Sequence, residues 1–294
     1  MRDSFGREIS YLRLSVTELC NLRCRYCMPE EGVCKKAHAE MLTEDEMISV
    51  VEAASSLGIH KLRITGGEPL VKKNIISICS RAAGVEGIHE VCLTTNGTLL
   101  PRRAPALLAA PALRKVSVSL HSFEGNGGKD ATDYINGVWD FAAAFAGAGR
   151  LCALRLWNEG GKETQNQMFY RFLSEKSGQD VENLPADPLG NRRLGPGLYL
   201  DRAAKFDWPA PDAPVQNVTF CYGLRRQIAV LCDGTVVPCC LDGQGVMALG
   251  NIFTTPLSAI LQSPRAKAIY DGFSRRRAVE ELCRRCGYAA RFTP

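Results

Sequence analysis

The sequence predicts an α/β fold: an open, TIM-like partial (β/α)6 barrel with a polar lining, followed by a small cysteine-rich C-terminal module. Three observations predict it. Short strand-like runs alternate with helix-like runs as far as Trp157, an order that calls for parallel strands joined by right-handed crossovers. Within the strand runs apolar and polar side chains alternate, so one face of the sheet is oily and the other wet. Thiols crowd two places, one near the start of the chain and one in its last quarter.

The first strand is "YLRLSV", where Leu12, Leu14 and Val16 share one face and Arg13 and Ser15 the other. "TEDEMISVVEAASSLG" follows as a helix, opened by a capping box of Thr43 and Glu46. "HKLRIT" sets Leu62 and Ile64 against Lys61, Arg63 and Thr65. A helix near "IISICSRAAG" leads to the strand "EVCLTTN". In "RKVSVSLH", Val116, Val118 and Leu120 oppose Ser117, Ser119 and His121. "YINGVWDFAAAFAGAG" reads as a helix and "CALRLW" as the fifth strand. A sixth strand is expected near "GLYLD", beyond a Pro- and Gly-rich stretch. Helices can cover the apolar faces, which leaves the polar faces to line an interior wetter than a packed barrel. A sheet with one solvated face gives the same alternation, but the crossover helices argue against it. The expected division is a core domain over residues 1–205 and an auxiliary module over 206–294.

A chain of 294 residues, 46% apolar and 23% charged, can bury one large core and carry a small appendage. No run approaches the roughly eighteen consecutive apolar residues of a membrane span, and "MRDSFGREIS" lacks the apolar segment of a signal peptide. The expectation is a cytoplasmic enzyme with no membrane association. A net charge of +5 is mild, and the only dense basic run is "FSRRRAVEELCRRC", so nucleic acid is not an expected partner. Arg275, Arg276, Arg277, Arg284 and Arg285 in that run read as a solvated helix face. Thirteen cysteines is an odd number and a high one. In a reducing compartment, grouped thiols hold metal more often than they bridge one another. Cys34, Cys79, Cys92 and Cys152 stand singly and read as small buried hydrophobes.

The first group is "CNLRCRYC", with Cys20, Cys24 and Cys27. A disulfide needs two thiols and a closed zinc site usually takes four ligands, so C-x3-C-x2-C leaves one metal position without a protein donor. Ligands in parallel strand-helix folds collect at the C-terminal ends of the strands. The thiol loop follows the first strand, "GGEPL" the second, "TNG" the third and "HSFEGNGG" the fourth. Thr95, Asn96 and Gly97 of "TNG" also read as a plain strand-ending turn.

These residues resemble the radical S-adenosylmethionine (SAM) family. Its C-x3-C-x-aromatic-C motif corresponds to Cys20, Cys24, Cys27 and Tyr26, and its GGEP loop to Gly66, Gly67, Glu68 and Pro69. The resemblance implies a [4Fe-4S] cluster held by three thiolates, with SAM on the fourth iron and cleaved to a 5'-deoxyadenosyl radical. It places Tyr26 near the adenine, Ser119 near the methionyl or ribose groups, and the backbone of Gly66 and Gly67 near the SAM amino group. It also implies a reducing electron donor such as a flavodoxin or ferredoxin. A packed aromatic and an ordinary serine are the plain readings of Tyr26 and Ser119.

The N-terminal third is similar to one subfamily, the GTP 3',8-cyclases of molybdopterin biosynthesis, in "YLRLSVTELCNLRCRYCMPEEG" and "KLRITGGEPL". That similarity implies substrate-binding roles for Arg13, Lys61 and Arg63, which would suit an anion; they could instead pair with carboxylates such as Glu68. The last quarter departs from the cyclases: Leu224 stands where a cysteine partner of Cys221 is expected, and the sequence closes on "RFTP". Cys221, Gly234, Cys239, Cys283 and Cys286 instead resemble the twitch or shortened SPASM module, with Asp233-Gly234 as a hairpin turn. Four thiolates there would saturate a second [4Fe-4S] cluster and make it an electron conduit. Their spacing also fits a four-cysteine zinc ribbon, and Cys232 or Cys240 could replace a named ligand. The leading expectation is a radical SAM enzyme that oxidatively modifies a small molecule or peptide. GTP cyclisation is the second and a non-catalytic iron-sulfur or zinc protein the third. No residue identifies itself as the acceptor of the substrate proton.

Overall fold

The structure is a computed structural model and describes residues 8–24, 27, 40–120, 131–157, 164–188, 190–204 and 206–292. One sheet of ten strands organises them: β1 Tyr11–Ser15, β2 Lys61–Thr65, β3 Glu90–Thr95, β4 Leu113–Ser119, β5 Leu151–Trp157, β6 Asn191–Gly195, β7 Leu198–Ala203, β8 Gln227–Val230, β9 Thr235–Val237 and β10 Gly250–Asn251. Their spatial order is β10-β9-β8-β1-β2-β3-β4-β5-β7-β6. The strands β1 to β5 and β7 pair in parallel and form the expected open (β/α)6 sheet, with "GLYLD" in the sixth strand. Two additions were not expected. β6 folds back antiparallel on β7, and β8, from the C-terminal module, extends the sheet by pairing in parallel with β1.

The helices are α1 Glu44–Ser56, α2 Ile75–Ala83, α3 Leu100–Ala109, α4 Thr132–Gly147, α5 Thr164–Ser177, α6 Leu257–Leu261, α7 Pro264–Ser274, α8 Glu281–Arg284 and α9 Gly287–Ala290. The capping box of α1 is formed: the Thr43 hydroxyl accepts from the Glu46 N–H and the Glu46 carboxylate accepts from the Thr43 N–H at 2.7 Å. Pro69–Val71 forms a single 3-10 turn after β2. None of the helices among the described residues is long and apolar enough to cross a membrane.

The helices cover the outer face of the sheet. Leu12, Leu14, Leu62, Ile64, Val116, Val118, Leu154 and Leu156 are buried against them, with Met47, Val51, Ile78, Leu107, Phe141 and Phe145 supplying the helix side of the core. The opposite face carries polar side chains in register. Tyr11 lies beside Lys61 and Lys61 beside Glu90; Arg13 lies beside Arg63, and Ser119 beside Arg155, which adjoins Asp201. Cys79, Cys92 and Cys152 are buried singly, while Cys34, His121 and the "HSFEGNGG" loop lie outside the described residues.

Candidate functional site

Loops from the C-terminal ends of β1, β2 and β3 are laced together by backbone bonds. The Gly67 N–H donates to the Thr17 carbonyl and the Glu68 N–H to the Leu19 carbonyl, each at 2.8 Å. Gly66 has φ +147, and a Cβ there would collide with the Thr17 carbonyl; one on Gly67 would collide with the carbonyls of Glu18 and Leu19. Both glycines thus let the GGEP backbone lie directly on the thiol loop. Pro69 is buried at the start of the 3-10 turn.

Glu68 is 1% exposed. Its carboxylate accepts from the Thr95 hydroxyl at 2.7 Å, the Asn96 N–H at 2.7 Å and the Leu70 N–H at 3.0 Å. Burial holds its carboxyl above the ordinary range, against the pull of those three donors. Asn96 continues the chain of contacts, donating to the Asn21 side chain at 3.0 Å and standing 3.9 Å from the Cys20 sulfur.

The three thiols share this braced loop. Cys20 is half-buried, Cys24 buried and Cys27 exposed as a residue. The Cys27 thiol is nonetheless pushed up to about 11, first by desolvation and then by the nearby sulfurs of Cys24 and Cys20. Among the described residues no three Cys, His, Asp or Glu side chains gather closely enough for one metal ion; a cubane cluster takes each thiolate on a separate iron. Three soft donors on one loop fit that group. Tyr26 lies outside the described residues. Ser119 ends β4 on the inner face, half-buried.

Below this rim the inner face is cationic. Arg63, 9% exposed, donates to the hydroxyls of Tyr11, Thr94 (3.0 Å) and Ser117 (3.1 Å). Lys61 pairs with Glu90 at 2.6 Å, not with Glu68. Arg155 pairs with Asp201 at 2.9 Å, and burial followed by the neighbouring Arg63 charge lowers the Lys115 ammonium. Sequence reasoning missed Lys115, Arg155 and Asp201 as lining residues. Their parity within "RKVSVSLH", "CALRLW" and "GLYLD" carried the signal.

The second thiol site stands on the hairpin of β8 and β9, turned at Asp233-Gly234 with Gly234 at φ +80. Cys239 and Cys240 follow β9, Cys283 lies in α8, Cys286 precedes α9, and Cys221 precedes β8. Burial pushes the Cys221 thiol up to about 11. Burial also raises Cys239, and the sulfurs of Cys240, Cys221 and Cys283 add to it; Cys221 and Cys286 do the same to Cys283. Each of the four sequence-predicted thiols thus stands within electrostatic reach of others of the set, and Cys221, Cys239 and Cys286 of Cys240 as well, though among the described residues no three gather closely enough for one metal ion. Cys232 is buried on the hairpin, its carbonyl accepting from the Leu42 N–H. The four thiols fit a second polynuclear cluster by the chemistry of their donors. Tyr288, just beyond Cys286, packs edge-on to Phe206 with centroids 5.0 Å apart and has the Arg291 guanidinium over its ring at 5.5 Å. Of the five arginines in the basic run, Arg285 pairs with Glu281 and Arg276 lies over Phe220.

The two thiol sites lie toward opposite ends of the inner face. The first follows Ser15 at the C-terminal end of β1. β9 runs antiparallel to β8, placing Val237 beside Ala229 and Ala229 beside Arg13, so Cys239 and Cys240 continue toward the Tyr11 end.

Residues 14–158 match the family model described as the radical SAM superfamily, and residues 221–287 match that of an iron-sulfur cluster-binding domain. The GTP 3',8-cyclase of Alkaliphilus oremlandii is 51% identical over 122 residues, which is 42% of this chain and 38% of that protein. The match falls in the N-terminal region, and the chain thus spans well under half the length of that relative. Among solved structures, BtrN in complex with AdoMet and 2-DOIA aligns with a TM-score of 0.58 at 19% identity, covering 97% of this chain and 94% of the other. Native anSMEcpe with bound AdoMet and Cp18Cys peptide aligns with a TM-score of 0.59 at 15% identity, covering 95% and 89%. At these identities the structural likeness establishes the fold.

Proposed function

We propose, from the radical SAM superfamily match over residues 14–158 and the iron-sulfur cluster-binding domain match over 221–287, that the chain uses SAM to abstract hydrogen from a small anionic substrate held between two clusters. Cys20, Cys24 and Cys27 would hold the first [4Fe-4S] cluster, leaving its fourth iron to SAM. Tyr26, the loop Gly66 to Pro69 and Ser119 would hold SAM itself. Cys221, Cys239, Cys283 and Cys286 would hold the second cluster. When bound, the first cluster supplies the electron that cleaves SAM to methionine and a 5'-deoxyadenosyl radical.

The observation that carries this reading is the placement of the two thiol sites at opposite ends of one polar face. A five-residue strand spans roughly 15 Å, room for a small molecule between a radical-generating end and an electron-accepting end. Lys61, Arg63, Lys115 and Arg155 outnumber Glu90 and Asp201 on that face, which favours an anionic guest. Glu68 and Asn96 brace the loops that would enclose SAM, and the helices close the outer side. The same fold is found with AdoMet and 2-DOIA in BtrN, and with AdoMet and the Cp18Cys peptide in anSMEcpe.

Anaerobic reconstitution, reduction with dithionite and addition of SAM should release 5'-deoxyadenosine and methionine. A reduced protein with both clusters intact that never cleaves SAM would reject the proposal and leave an electron carrier.

GTP cyclisation is the second reading, favoured by the 51% identity of the N-terminal region. A second cluster with four cysteine ligands has no vacant iron for a guanine nitrogen. The paramagnetic resonance of that cluster with nitrogen-labelled GTP should therefore show no nitrogen coupling, and no cyclised product should form. Coupling with turnover would make the cyclase reading the correct one.

A further inference from the structure

Arg13 sits on the inner face of β1, in register with Ala229 of β8, which in turn faces Val237 of β9. Ala229, Leu231 and Val237 form one small apolar group, and Cys240 packs against it. Only β8 thus stands between β1, which carries Arg13, and β9, which leads into Cys239 and Cys240. Its Nε is buried and has no hydrogen-bond partner among the described residues. Burial opposes its charge, which Cys240, Tyr11, Cys239 and Tyr288 favour in turn; the guanidinium lies over the Tyr11 ring, 5.8 Å from its centroid, and none of these groups is a carboxylate.

The other two cations that the cyclase resemblance assigns to a substrate are committed elsewhere, Lys61 to Glu90 and Arg63 to three hydroxyls. Arg13 has in their place the Tyr11 ring and, across β8, the stretch that carries Cys239 and Cys240. An orphaned buried donor is costly, and the cost is relieved when the facing sulfurs become anionic ligands of a cluster. We propose that Arg13 is a positioning residue of the auxiliary site, a cation held against its sulfurs from the first barrel strand, and not an anchor for substrate. The inference rests on the auxiliary-cluster reading above. Uptake of one electron adds one negative charge to a cluster, so a fixed guanidinium beside it stabilises the reduced form and raises the potential.

The test uses the full chain carrying Cys20→Ala, Cys24→Ala and Cys27→Ala, which leaves only the auxiliary site to hold iron. The midpoint potential is measured by a titration followed by paramagnetic resonance. Arg13→Gln should weaken reduction at least about tenfold, equivalent to ~59 mV for one electron. Arg13→Lys, which keeps the charge, should stay close to Arg13. If Arg13→Gln loses the cluster altogether, recovery of the cluster in Arg13→Lys supports the charge requirement and loss in both overturns it. An unchanged potential in Arg13→Gln overturns the inference alone. A triple variant with no iron at all overturns the auxiliary-cluster reading beneath it.

Discussion

Glu68 has its carboxylate committed to the protein before any ligand arrives. Thr95 and the backbone N–H groups of Asn96 and Leu70 all donate to it, so it fastens the loop after β2 to the loop after β3. The motif containing Glu68 was legible in the sequence. Its partners were not, because Thr95 and Asn96 lie 27 and 28 residues further on and no local pattern joins them. The glycines show a similar split: the need for a bare backbone could be read from GGEP, but the close neighbour is the thiol loop at Thr17, Glu18 and Leu19. Replacing Glu68 with alanine leaves three donors without an acceptor and should lower stability by about 3 kcal/mol, at ~1–3 kcal/mol for a wholly unsatisfied buried donor and less where water enters. Urea unfolding of the reconstituted protein measures this. Glu68→Gln, which keeps an acceptor oxygen, should lose markedly less, and equal losses would show that packing volume and not hydrogen bonding fastens the loops.

At the scale of elements, the parallel strands and α1 were the most readable parts, since alternation and a Thr43–Glu46 capping box are local signals. α3 was hidden by Pro101 and Pro105 within "LPRRAPALLA"; its buried Leu100 and Leu107 hold it on the core all the same. The pairing of β8 with β1 joins residues at the two ends of the chain and leaves no trace in either segment. Packing between α1 and α2 includes a polar clasp. Glu44 accepts from Asn74 and Ser77, each at 2.5 Å, and from Arg81 at 3.2 Å. The bond from Ser77, then those from Asn74 and Arg81, hold the Glu44 carboxyl below its ordinary value despite some desolvation. A depressed folded-state value contributes stability above the unfolded value of about 4.3, and that contribution disappears as pH falls through the folded value. Thermal unfolding from pH 6 down to pH 3 should therefore show a steeper loss for the native chain than for Glu44→Gln. Parallel curves would mean that the clasp contributes nothing.

Across the whole molecule, the C-terminal module is built into the barrel's sheet and not merely tethered to it: β8 and β9 continue the face that begins at Arg13. This gives the account its central claim, two iron-sulfur clusters facing one polar cavity from opposite ends. The two thiol groups were visible from cysteine spacing alone. Their relation to each other was not, because it depends on strand register. The most direct test is to count iron, sulfide and zinc after anaerobic reconstitution of the full chain and of the Cys20→Ala, Cys24→Ala, Cys27→Ala variant. The account predicts about eight iron and eight sulfide per native chain, about half of each in the variant, and no zinc in either. Stoichiometric zinc at the C-terminal thiols under iron-replete expression, or a native chain that never exceeds about four iron, would contradict it.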